Sequence, residues 1–268
     1  MRILRKAALV ILVTVFAVSM LADAFAPIPY SLQFRESICA PASRQFPLGT
    51  DELGRDRWSR LLYGTRVSLL LAPGAAIIST AMAVLVGGVA GYMGGWWDRV
   101  VLRLIDLFLS IPWLFLFLIT RALLPLNTAP IDSMLVTFAV MGLLGWAGPA
   151  RVIRVGAQSL RNSDMILHAQ ACGCNGVRLI LVHMIPNLKP VVLAQFWTSI
   201  PIFILGEAGL GLIGLGVAEP LPSWGNLLRD LGNPHLIATN PWVLAPLGLL
   251  VMVMTCFQFV LPRKESFA

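Results

Sequence analysis

Long apolar runs separated by polar segments dominate the chain, and each run is close to the length that crosses a bilayer. A membrane helix needs about 20 predominantly apolar residues to cross a hydrocarbon core roughly 30 Å thick. The pattern therefore predicts an all-α polytopic membrane protein with six transmembrane helices. They are expected at residues 7–25, 67–92, 103–123, 134–150, 190–212 and 241–261.

The composition agrees with this class. The chain has 268 residues, of which 57% are hydrophobic and 12% charged, and its mean hydropathy is +0.81. A soluble domain carries roughly 25% charged residues. The net charge of +7 would suit a nucleic-acid partner, but basic residues that flank apolar spans are better explained by orientation in the membrane. We expect a lipid bilayer as the surrounding partner and no nucleic acid.

An even number of spans places both termini on one side of the membrane. Assigning that side to the cytoplasm puts twelve of the 20 Lys and Arg residues inside and eight outside, as the positive-inside rule favours. Residues 27–66 would then face outward and residues 151–189 inward. The first run, behind Arg2, Arg5 and Lys6, is long for a signal peptide, which favours an uncleaved first helix.

The end of the first outer loop predicts a short amphipathic helix. Asp51 and Glu52 suit its first turn, and Trp58, Leu61 and Leu62 fall on one side at helical spacing. Such a helix, with arginines on its other face, is typical of the membrane surface. The domain prediction has three parts: residues 1–66 with the first helix and this interfacial helix, a core of five helices at 67–262, and the tail 263–268.

The polar segment 151–189 is the most informative part of the sequence. It is basic and helix-forming, and it is far longer than a simple connection between two spans requires. This pattern predicts a platform on which a soluble partner docks from the cytoplasm.

Candidate chemistry is sparse. Gly209, Gly211 and Gly214 match the dinucleotide pattern GxGxxG, but no strand precedes them, which favours close helix packing instead. The sequence has no GxxxxGK[ST] motif to hold ATP. The three histidines are scattered without a second ligand set, so we predict no metal site, no cofactor and no enzymatic activity.

Two acidic residues within the predicted spans require an account, because charge is costly in hydrocarbon. Asp106 lies one helical turn from Arg103, which favours a local ion pair. Glu207 lies 17 residues beyond Pro190, about 25 Å along a helix and close to the outer surface. Glu207 either lines the outer mouth of a translocation pathway or caps a neighbouring segment, and both interpretations stay open.

Three long stretches carry a family resemblance. PLGTDELGRDRWSRLLYGTRVSL, GYMGGWWDRVVLRLIDLFLSIPWL and GLGLIGLGVAEPLPSWGNLL resemble signature stretches of the C-type permease subunits of dipeptide, oligopeptide and nickel ABC importers. The resemblance implies a type I ABC importer permease fold that forms half of a heterodimeric pore. It also implies a second permease subunit, an extracytoplasmic solute-binding protein and two cytoplasmic P-loop ATPase subunits as partners. The solute, whether peptide, nickel or another small molecule, stays open.

The same resemblance extends to the cytoplasmic loop by which such permeases dock to the ATPase. Gly173 and Pro186 match the family's glycine and proline, whereas Leu167 replaces the expected glutamate and His168 the first alanine. The resemblance implies that the coupling residues are Leu167, His168, Ala169, Gly173, Ile185 and Pro186. A stand-alone channel or secondary transporter is the alternative class, and the sequence shows no internal repeat that would support it.

Overall fold

The computed structural model describes residues 2–112, 115, 116, 118 and 129–260, and within them every regular element is helical. The α-helices are α1 (Arg2–Met20), α2 (Ala22–Phe25), α3 (Arg57–Ala83), α4 (Val89–Met93), α5 (Gly95–Ser110), α6 (Pro130–Leu144), α7 (Ala147–Arg161), α8 (Asp164–Ala171), α9 (Gly176–Arg178), α10 (Ile185–Leu212), α11 (Trp224–Leu228), α12 (Pro234–Thr239) and α13 (Ala245–Val260). Two π-helical segments, Val84–Gly88 and Leu179–Met184, continue α3 into α4 and α9 into α10. Two 3₁₀ turns, Arg229–Gly232 and Pro241–Leu244, follow α11 and precede α13.

The described residues contain five helical segments long and apolar enough to cross a membrane. They are Ile3–Met20, Arg57–Met93, Pro130–Arg161, Val182–Leu212 and Pro241–Val260. These segments confirm five of the predicted spans. The third predicted span, 103–123, coincides with α5 in its first part, but most of its second half lies outside the described residues. The total of six spans therefore stays a prediction.

The helices extend beyond the apolar runs that revealed them. The second span begins at Arg57 rather than near residue 67, and its start is fixed by Asp56. The Asp56 carboxylate accepts hydrogen bonds from the backbone N–H of Ser59, at 3.0 Å, and from its hydroxyl, which is the geometry of a helix N-cap. The predicted separate helix with Asp51 in its first turn is wrong, because residues 51–56 form a turn.

The chain divides into two compact units. The first comprises the described parts of residues 1–72, 121–138 and 201–268. In it α1 packs against α13, and Trp224 is fully buried with its indole N–H donating to the Thr65 hydroxyl at 3.0 Å. This tryptophan fixes α11 beside the first turns of α3.

The second unit comprises the described parts of residues 73–120 and 139–200. Its core is built from three alanines, two isoleucines and one tryptophan: Ala83, Ile105, Trp146, Ala147, Ala150 and Ile153. A Cβ at Gly87 would collide with the backbone of Ala150, and a Cβ at Gly91 with that of Arg154. Small residues therefore let the helix ending at Met93 approach α7 closely, as is common where membrane helices pack.

Candidate functional site

The predicted docking platform is helical along most of its length. Within it we define the α8 segment as residues 163–178, which contains the short helix Asp164–Ala171. α8 packs against the π-helical residues Leu179–Met184. Ile166 is fully buried, whereas Met165 and Leu167 on either side of it are exposed. The segment is thus held from one side and leaves apolar side chains uncovered on the other.

Gly173 ends α8 in a defined way. Its φ is +80°, a left-handed conformation that favours glycine. The N–H of Gly173 donates to the carbonyl of Gln170 at 2.9 Å, and the N–H of Cys174 to that of Ala169 at 3.1 Å. This pair of bonds is the Schellman arrangement, which satisfies the last carbonyls of a helix. The end of α8 at Gly173, the glycine that matches the family's, therefore has a backbone cause.

Asn175 starts the next helix directly after this bend. Its side chain accepts a hydrogen bond from the Arg178 N–H at 2.8 Å, and the chain then continues as helix to Leu212. The predicted start of the fifth span at Pro190 is therefore wrong, and Pro186 lies inside the helix rather than at its entry. Local π-helical turns, such as Leu179–Met184 just before Pro186, let a membrane helix accommodate proline.

The six predicted coupling residues are not gathered into one enclosed site. His168 is exposed like Leu167, and Ala169 is half-buried on the same helix, whereas Gly173 is exposed in the following turn. Ile185 and Pro186 are exposed at the start of α10. The docking role of these residues stays a prediction.

A polar stripe runs along α7, just before the α8 segment. Arg151, Arg154, Gln158 and Arg161 are spaced three, four and three residues apart, which places them on one face of the helix. The Arg154 guanidinium binds both oxygens of Asp98, and Gln158 donates to the same carboxylate at 2.9 Å. Asp98 is 7% exposed. Its buried charge is therefore fully partnered.

The predicted ion pair between Asp106 and Arg103 is wrong. Asp106 instead pairs with Arg151, at the other end of the polar stripe. Sequence proximity favoured the pair within one helix, whereas the packing of α5 against α7 brings a different arginine to the carboxylate.

Glu207 is fully buried in the first unit. Its Oε2 lies 3.5 Å from the Ser68 hydroxyl and 3.4 Å from the Gly225 N–H, and its Oε1 has no hydrogen-bond partner among the described residues. These contacts fit the interpretation that Glu207 caps the neighbouring segment at α11. A role in lining a translocation pathway stays a prediction.

The glycine pattern around residue 211 has mixed roles. A Cβ at Gly211 would collide with the backbone of Gly225, so the predicted close approach occurs at this position. A Cβ at Gly209 would meet nothing within 4 Å. Gly214 has a φ of +79° and serves a turn instead. The packing interpretation therefore holds for Gly211 but not for the other two glycines.

Two distant segments of the first unit are joined by ion pairs whose arginines are buried. We call residues 49–60 and 217–230 together the clasp. Arg55 binds Asp51 at 2.7 Å and Glu219 at 2.7 Å, and Arg60 binds Glu219 at 3.1 Å. Burial alone would lower the pKa of Arg55. The hydrogen bond and the charge of Asp51, together with Glu219, outweigh burial, so the pKa of Arg55 is raised.

A second connection in the clasp joins Arg57 to Asp230 at 2.6 Å. Burial raises the pKa of Asp230, although the charge and hydrogen bond of Arg57 act in the opposite direction. The predicted solvent-facing arginines of an interfacial helix are thus wrong for Arg55, Arg57 and Arg60, which are all buried. Their acidic partners Glu219 and Asp230 carry no local signal in the sequence, because they lie about 160–170 positions away.

Comparison with known proteins identifies a family that the chain matches. Residues 83–262 match the family described as "Binding-protein-dependent transport system inner membrane component". The oligopeptide transport system permease protein OppC of Bacillus subtilis is 30% identical over 253 residues, which cover 94% of this chain and 80% of the relative. The dipeptide transport system permease protein DppC of the same organism is 31% identical over 256 residues, covering 95% and 78%. OppC of Haemophilus influenzae is 33% identical over 213 residues, covering 79% and 66%.

Proposed function

We propose, from the premise that this chain belongs to the family of binding-protein-dependent transport system inner membrane components, that the solute it carries is a di- or oligopeptide. The chain is a multi-pass membrane protein and a transport permease rather than an enzyme. The observation that supports peptides is the similarity, across most of the chain, to relatives named as oligopeptide and dipeptide permeases. It favours peptides over nickel or another small solute.

The assembly we propose has five subunits in all. A second permease completes the pore, two P-loop ATPases bind on the cytoplasmic side, and an extracytoplasmic binding protein delivers the solute. The chain itself has no phosphate-cradling GxxxxGK[ST] loop, so ATP hydrolysis is assigned to the separate ATPases. Both termini and the α8 segment face the cytoplasm in this proposal.

The α8 segment is the element we assign to ATPase docking. Its support is the combination of a fixed backbone and an uncovered surface: the glycine turn at Gly173 sets where the helix ends, and Ile166 anchors one side. Leu167 and His168 remain free to contact another protein. Closure of the ATPases on ATP would displace this segment and switch the pore between inward- and outward-facing states, which the solute must bind with different affinity.

Uptake by the reconstituted complex tests the proposal. Proteoliposomes holding both permeases and both ATPases, supplied with the binding protein and ATP, should accumulate a labelled tripeptide. Unlabelled peptides should compete, and Ni²⁺ should not. Accumulation of Ni²⁺ without peptide uptake would contradict the peptide assignment, and uptake without ATP would contradict the importer class.

The orientation is tested separately with an impermeant thiol reagent. Ser43 and Ser159 are both exposed, so Ser43→Cys and Ser159→Cys, each in a background without other cysteines, present accessible thiols. They should react from opposite sides of the membrane. Reaction from the same side would contradict the proposed topology.

A further inference from the structure

The turn between the second span and α5 is held by one face of α7. Arg161, the last residue of α7, donates from Nη1 to the carbonyl of Met93 at 3.2 Å. Met93 ends α4, and a cation near the C-terminus of a helix interacts favourably with its exposed carbonyls. The next residue, Gly94, has a φ of +66°, and a Cβ there would collide with the Arg161 guanidinium. Glycine at position 94 therefore leaves the space that the Arg161 guanidinium occupies.

About two turns of helix earlier on α7, the contact is a buried ion pair. Arg154 Nη2 lies 2.6 Å from Asp98 Oδ2, and Arg154 Nε donates to Oδ1. Gln158, between the two arginines along the stripe, adds its hydrogen bond to Oδ2. A two-point contact between a planar guanidinium and a carboxylate fixes both distance and orientation.

Stability alone does not account for this arrangement. A buried ion pair commonly contributes no more to stability than apolar side chains of similar volume. The pair instead fixes the position of α5 relative to α7. The opposite end of the same helix pair is joined again, by Asp106 and Arg151.

The polar stripe is also directly connected to the α8 segment. Only Asn162 and Ser163 separate Arg161 from α8, and the Ser163 hydroxyl donates to the Leu160 carbonyl at 2.6 Å. A displacement of α8 therefore acts directly on the last turn of α7, which is where Arg161 binds Met93.

We propose that Arg154, Gln158 and Arg161 are positioning residues that carry the movement of the α8 segment to the turn at residues 93–98 and so to α5. The inference rests on the proposed function, in which α8 receives the movement of the ATPases. It assigns a second task to these three residues: they convert docking into displacement of a membrane helix.

The test uses the full reconstituted complex and the variants Asp98→Asn and Arg161→Met. Asp98→Asn removes the carboxylate charge that Arg154 binds, and Arg161→Met removes the hydrogen bond to the Met93 carbonyl. Both should assemble with the ATPases and hydrolyse ATP, while the amount of peptide transported per ATP falls at least about fivefold, the lower end of typical coupling between sites. Arg99→Gln is the matched control, because Arg99 is exposed on α5 and, among the described residues, its side chain donates to the Gly95 carbonyl alone. It should transport like the unmodified complex.

The double variant Asp98→Leu/Arg154→Met distinguishes a loss of coupling from a folding defect. It replaces the ion pair with apolar side chains, so it should assemble, yet its transport per ATP should stay low. Unchanged transport per ATP in Asp98→Asn, or full recovery in the double variant, would overturn the inference and show that the pair serves folding alone. Failure of the unmodified permease to bind the ATPases through α8 would instead overturn the proposed function.

Discussion

The clasp and the α8 segment differ in where their contacts are made. In the clasp, Arg55, Arg60 and Asp51 are all buried and bind one another or Glu219. In the α8 segment, Ile166 is fully buried while Leu167 beside it is half exposed. The clasp is centred on the irregular residues 51–56, whose polar groups find partners within the chain. The α8 segment contains a helix with apolar side chains that the chain leaves uncovered.

The difference follows from what each backbone requires. A helix satisfies most of its own peptide groups, so α8 can stay exposed once the turn at Gly173 satisfies its last carbonyls. An irregular segment has no such internal ladder and must find side-chain partners when it is buried. Asp51 illustrates this in the clasp, since it accepts hydrogen bonds from the backbone N–H groups of Leu53 and Arg55 as well as binding arginine.

The largest effect should come from removing Asp51. Asp51→Ala leaves Arg55 without its main partner and frees two backbone donors, and breaking a buried pair costs about 3–5 kcal/mol. Thermal unfolding in detergent should show a loss of this size. Glu52→Gln is the matched control, because Glu52 is exposed and should change little. An Asp51→Ala protein as stable as the control would mean that the clasp is not held by its charges.

A smaller effect should come from filling the space at Gly211. Gly211→Ala drives a methyl group into the backbone of Gly225, and overpacking of this kind costs about 1–3 kcal/mol. Gly209→Ala on the same helix enters open space and should be neutral or slightly stabilising. Unfolding measured on the two variants side by side separates close packing from a general effect of glycine. Equal stability would contradict the contact.

The α8 segment should respond to a change of backbone rather than of packing. Gly173→Val forces a β-branched residue to a φ of +80°, at a cost of about 1–2 kcal/mol, although nothing lies within 4 Å of the new Cβ. The variant should insert into the membrane but retain less ATPase on co-purification. Gly173→Asn should retain it, since asparagine tolerates this conformation. Wild-type recovery of the ATPase with Gly173→Val would exclude the turn from docking.

The smallest effect concerns pH and Asp230. Burial raises the pKa of Asp230 above its ordinary value of 3.8, so the folded chain holds this proton more tightly than the unfolded chain. The stability that this group contributes is then present at low pH and is lost as pH rises through the raised value. The unfolding free energy of the unmodified protein, relative to Asp230→Asn, should therefore increase as pH falls from neutral. A decrease would show that the bond to Arg57 outweighs burial.

The spans were predictable because the length of an apolar run is set by the bilayer. Their ends were not, since a helix continues into polar sequence wherever a cap permits. Asp56 and Ser59, three residues apart, could have indicated the true start of α3. Similarly, the spacing of Arg151, Arg154 and Arg161 marks one helix face and could have indicated the polar stripe.

The clasp was beyond prediction for a different reason. Its arginines look like surface residues because their local sequence is polar, and only the fold brings Glu219 and Asp230 to them. The same limit applies to Glu207, since no local pattern in the sequence indicates that Ser68 and Gly225 lie beside it. Long-range pairing of charges leaves no periodic pattern in a single sequence.

The clasp also imposes an order on biosynthesis. Arg55 and Glu219 are separated by 164 positions, and Arg57 and Asp230 by 173. A ribosome adding about 5–20 residues per second needs roughly 8–35 s to cover that distance. The arginines therefore leave the ribosome long before their distant acidic partners exist, and the first unit can close only when nearly the whole chain has been made. Until then Arg57 has no Asp230 to bind, and Arg55 and Arg60 have only the nearby Asp51 as an acidic partner.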